Sequence, residues 1–129
     1  MAEGWIRHLR GDEFEPFSAG VAPSLIDLRA VAAMAEAGVD IGWQRSKSVN
    51  EFLGQKFDWV VTVCDSAREQ CPFFPGETTR VHVGFDDPPH LAAVAATDDE
   101  AMEHYRRVRD EIRVFVEAMP ESLRGEGRD

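Results

Sequence analysis

Apolar positions along the chain alternate between helical spacing and short continuous runs. Met1 to Leu9 places Trp5, Ile6 and Leu9 on one side, which predicts a helix. Gly11-Asp12 is a turn, and Phe14 to Ala19 reads as a short strand ended by Gly20. Asp27 to Ala37 is rich in alanine and carries Leu28, Val31 and Met34 on one face, with Gly38 as its C-cap. Val49 to Leu53 predicts a short helix. Phe57 to Cys64 is the clearest strand, a β-branched and aromatic run suited to burial on both faces of a parallel sheet. Thr79 to Val83 is a second, shorter strand, and Gly84 to His90, with two prolines, reads as a loop. Thr97-Asp98-Asp99-Glu100 is a capping box. It opens a helix to about Glu117 with Tyr105, Val108, Ile112, Phe115 and Val116 on its apolar face. Arg124 to Asp129 reads as a frayed tail.

Strands alternating with helices predict an α/β class with a parallel sheet. In such sheets ligands bind beyond the carboxyl ends of the strands, which points to Cys64 at the end of the strongest strand. With 129 residues the expectation is a single domain able to fold without disulfide or metal. A hydrophobic content of 43% argues against disorder. No apolar run approaches the roughly 20 residues of a membrane span, and MAEGWIRHLRGDEFE is too charged for a signal peptide. The expected location is the cytoplasm. A formal net charge of −10 argues against nucleic acid, while leaving room for a small anion in a local pocket.

The chain has two cysteines, Cys64 and Cys71, in VCDSAREQCP. On an unbroken helix they would share a face about 10 Å apart. A bridge needs Cα atoms within about 7 Å, so pairing requires the intervening segment to loop. Spacing alone leaves two readings: a switchable redox pair, or two unrelated thiols. A thiol where a strand ends and a helix starts gains reactivity from the helix dipole, which favours the first reading modestly. Neither cysteine has zinc-ligand spacing, and His8, His82, His90 and His104 show none either. Asp86-Asp87-Pro88 offers a carboxyl for acid or base work, or simply a turn. His82 reads as a strand-face histidine. Arg106, Arg107 and Arg109 read as a solvated helix face.

VVTVCDSAREQCPFFPG, HVGFDDP and RRVRDEI together resemble the thioredoxin-coupled arsenate reductases, which share the fold of the low-molecular-weight tyrosine phosphatases. MAEGW, SAG at Ser18 to Gly20, MAEAGVDI at Met34 to Ile41 and RSK at Arg45 to Lys47 extend the resemblance over essentially the whole chain. It implies a three-layer fold, a parallel sheet flanked by helices. It implies arsenate as substrate and a relay of three cysteines. A first cysteine in a phosphate-binding loop attacks arsenate, a second resolves it to arsenite, and a third draws off the disulfide for thioredoxin. Cys64 matches the second, Cys71 the third, and Asp87 the general acid. No bound cofactor is implied.

This sequence departs from the family where it starts. The loop Cys-Thr-Gly-Asn-Ser-Cys-Arg-Ser and the central first strand precede the residues matching Met1-Ala2-Glu3-Gly4, so that strand is expected to be missing from the chain. The expectation is a start upstream of Met1, with a truncated remnant as the alternative. The chain as written is expected not to reduce arsenate. Ser24 to Leu28 replaces a frequent Gly-x-Asn-Pro turn, and Val83 a frequent tryptophan. Some members bind potassium with a glutamate, a serine and an aspartate. Glu3 and Ser18 match the first two, but Lys47 stands at the third, so potassium is not expected. A phosphatase of the same fold is a second reading, which leaves both cysteines unexplained. A non-catalytic binding protein is a third.

Overall fold

The computed structural model describes residues 1–19, 27–44, 47–52, 54–63, 78–86 and 88–125. Helix α1 spans Ala2–Arg10 and α2 spans Leu28–Glu36. A 3-10 turn over Val49–Phe52 precedes strand β1, Trp59–Thr62, and strand β2, Thr79–His82. Helices α3 (Pro88–Ala92), α4 (Asp98–Glu117) and α5 (Glu121–Gly125) complete the chain. None of the described helices is long and apolar enough to cross a membrane.

Local chemistry sets the helix ends. Asp27 caps α2 by accepting from the backbone N–H of Arg29. At the other end Ala37 is the cap and Gly38 follows at φ +85°, a conformation that suits glycine. Gly38 N–H donates to Ala35 O and Val39 N–H to Met34 O, the paired bonds of a Schellman motif. At the start of α4, Thr97 Oγ1 accepts from Glu100 N–H at 3.1 Å. The returning Glu100 carboxylate takes the N–H of Ala96 at 2.9 Å, one residue earlier than in the standard box.

α4 is the central helix and packs against α1, α2 and α3. Its Val108, Ile112 and Val116 join Trp5, Met34, Val39, Ile41, Met119 and Leu123 in one core. Trp5 is 1% exposed, and its indole N–H donates to the backbone carbonyl of Arg109 at 3.0 Å, so its one polar atom is satisfied. The α1 backbone comes close to Ile41 at Gly4: a Cβ there would meet Ile41 Cγ2 at 2.5 Å.

β1 and β2 pair in parallel, with Val61 opposite Val81 and Thr62 opposite His82. Flanking bonds extend the ladder, from Thr79 N–H to Asp58 O and from Val83 N–H to Thr62 O. The α/β class with a parallel sheet and flanking helices therefore holds.

Four local expectations change. Phe14 to Ala19 is not a strand; it has no ladder partner among the described residues, and a strand exists only by pairing. Its Phe17 instead meets Phe52 and Phe57 edge to face, with centroids 5.7 and 5.8 Å away. β1 is not buried on both faces: Val61, in its middle, is 36% exposed. The stretch from Gly84 is not all loop, because Pro88 and Pro89 begin α3. The first turn of a helix leaves its N–H groups without intrahelical partners, so proline loses nothing there. The C-terminal stretch is helical through Gly125, with Leu123 2% exposed in the core.

Candidate functional site

The sequence-predicted catalytic residues follow β1 and β2 along the chain. Cys64 follows Val63 at the end of β1, and Asp87 precedes α3. Cys64, Cys71 and Asp87 all lie outside the described residues. What the structure describes is the frame they leave from. Thr62 Oγ1 and His82 Nδ1 share a hydrogen bond at 2.8 Å across the parallel register. Beyond β2, Asp86 is held by the guanidinium of Arg107 on α4, Nη2 to Oδ2 at 3.0 Å. Pro88, on the far side of Asp87 in sequence, is buried.

The second group of predicted residues is described in full. Glu3 is a buried carboxylate on the first turn of α1. The Ser18 hydroxyl donates to Oε1 at 2.5 Å, and Lys47 Nζ stands 3.8 Å from the same oxygen. The structure thus brings residues 3, 18 and 47 together around one oxygen. Arg7, one turn along α1, was not singled out. Its Nε donates to Glu3 Oε2 at 3.1 Å and its Nη2 to Pro16 O at 3.0 Å. Its guanidinium also lies over the Trp43 ring, 5.4 Å from the centroid. The Glu3–Arg7 spacing of i, i+4 was the available signal. Both carboxylate oxygens are therefore engaged, as a buried charge requires. The residues leading to Ser18 are held through Pro16 and Ser18 despite having no ladder.

The arginines of RRVRDE do more than solvate a helix face. Arg106 grips Glu36 of α2 with Nε and Nη2, at 2.8 and 3.0 Å. The hydrogen bond from Arg106, with added attraction to Arg106 and Arg109, holds the Glu36 carboxyl below its ordinary range. Arg109 donates to Ala33 O at 2.8 Å. Three arginines on α4 thus tie down α2 and the segment before α3. Helical periodicity could not show this, because the partners lie on other elements.

The family model described as low molecular weight phosphotyrosine protein phosphatase matches residues 1–128. An arsenate reductase of Halalkalibacterium halodurans is 43% identical over 122 residues, covering 95% of this chain and 86% of that protein. An arsenate reductase of Bacillus subtilis is 41% identical over 112 residues, covering 87% of this chain and 78% of that one. Among solved structures, an arsenate reductase in the phosphate binding state superposes with a TM-score of 0.67 at 26% identity, covering 90% of this chain and 82% of its own. The chain belongs to the low molecular weight phosphotyrosine protein phosphatase family, alongside its arsenate reductases.

Proposed function

We propose that this protein serves arsenate reduction, with Cys64 and Cys71 as the second and third thiols of a cysteine relay. The observation that carries the reading is that both cysteines of the chain fall in VCDSAREQCP, followed by GFDDP, in a sequence 43% identical to an arsenate reductase. A first cysteine bonds arsenic. The Cys64 thiolate attacks that sulfur; an S–S bond forms, the S–As bond breaks, and its electron pair reduces arsenic from +5 to +3 as arsenite leaves. The Cys71 thiolate then attacks Cys64 and releases the first cysteine as a thiolate. Thioredoxin reduces the Cys64–Cys71 disulfide by exchange of two thiols for one disulfide. Asp87, as general acid, protonates the departing oxygen. The cytoplasm, where thiols stay reduced, suits this chemistry.

With two cysteines in 129 residues, this polypeptide carries the later steps of the relay and takes the first thiol from outside these residues. A phosphate-binding relative supports an oxyanion as the substrate class. The Lys47 ammonium, facing Glu3 Oε1 at 3.8 Å, takes the role of a bound monovalent cation. A potassium ion beside that ammonium would be repelled, so the residues present do not fit it.

The test uses the purified chain with thioredoxin, its reductase and a nicotinamide electron source. Oxidised protein is expected to draw electrons until Cys64 and Cys71 are both reduced, with no arsenate-dependent turnover. Sustained turnover with arsenate would overturn the division of the relay. Failure of the oxidised protein to form an intramolecular disulfide would overturn the role of the pair.

A further inference from the structure

We draw no further inference here: the strongest candidate, the buried Gln44 amide nitrogen that lies beside Gly4 on the first turn of α1 with no hydrogen-bond partner among the described residues, rests on a helix N-terminus and a side chain that is itself partly exposed, and nothing in the structure shows what would accept from it.

Discussion

The ammonium of Lys47 stands 3.8 Å from Oε1 of Glu3, and the two side chains are only 13% and 3% exposed. A buried carboxylate on the first turn of a helix is costly unless its partners are in place. Here Arg7, Ser18 and Lys47 supply them. Glu3→Ala is expected to cost about 3 kcal/mol, near the lower end for breaking a buried pair, because Arg7 can still reach water. Urea unfolding of the variant measures this; a change below 1 kcal/mol would mean that the cluster does not hold the fold.

If the Lys47 ammonium fills a cation's place, exchanging sodium for potassium at constant ionic strength should leave the melting temperature unchanged. Lys47→Asp would set a second carboxylate beside Glu3 and should lower it, like charges being unfavourable there. Potassium should then restore part of the loss in that variant and nothing in the parent. Thermal unfolding in the two salts checks both; stabilisation of the parent by potassium would refute the substitution of ammonium for ion.

Tyr105 is 2% exposed and its hydroxyl donates to Oδ2 of Asp27, whose Oδ1 caps α2. One carboxylate thus joins the start of α2 to α4. Tyr105→Phe is expected to cost about 1.5 kcal/mol, the lower end for a hydrogen bond to a charged group, because Asp27 is half-buried and water can replace the donor. Loss of stability on this scale, with an unchanged circular dichroism spectrum, is the expected result.

Gly4→Ala sets two effects against each other. Alanine improves an α-helix by about 1 kcal/mol over glycine. The added carbon would sit 2.5 Å from Ile41 Cγ2, and overpacking a core costs about 1–3 kcal/mol. The clash is expected to win, giving a net loss of about 1 kcal/mol. The double variant Gly4→Ala/Ile41→Val, which removes a methyl group from the neighbour, should recover part of it.

Glu36 gives a pH dependence of definite sign. Its folded-state pKa lies below the ordinary 4.5, first because Arg106 donates to it. Between the two values the unfolded chain binds more protons, so stability rises with pH there. The contribution is fully present above about pH 4.5 and is lost as pH falls through the lowered value. Glu36→Gln should therefore flatten the acid limb of the stability curve and leave its slope near neutrality alone. Denaturant midpoints between pH 3 and pH 7 would show it, and an unchanged acid limb would refute it.

Local chemistry was legible along the chain wherever partners lie within a few residues. Helix α4 with its Thr97–Glu100 cap, α2 with its Asp27 start and its glycine beyond the end, and the two β-rich runs could all be read directly. Each depends on side-chain periodicity or on a bond between near neighbours. Family membership was also legible, in the segments around Cys64, Asp87 and Arg106. The pairing of elements was decided only in three dimensions. Phe14 to Ala19 has strand-like residues, yet a strand needs a neighbour, and its apolar Phe17 went to Phe52 and Phe57 instead. No spacing links Arg107 to Asp86, Arg7 to Pro16, or Thr62 to His82; these meet because α4, α1 and the parallel register of β1 with β2 bring distant segments together. The sequence alone nominated the candidate residues and the family, since side-chain types and their order along the chain are its own properties. Tertiary structure decided which distant side chains meet, such as Glu3 with Ser18 and Lys47 or Asp86 with Arg107, since hydrogen bonds and ion pairs act over a few ångströms whatever the separation along the chain.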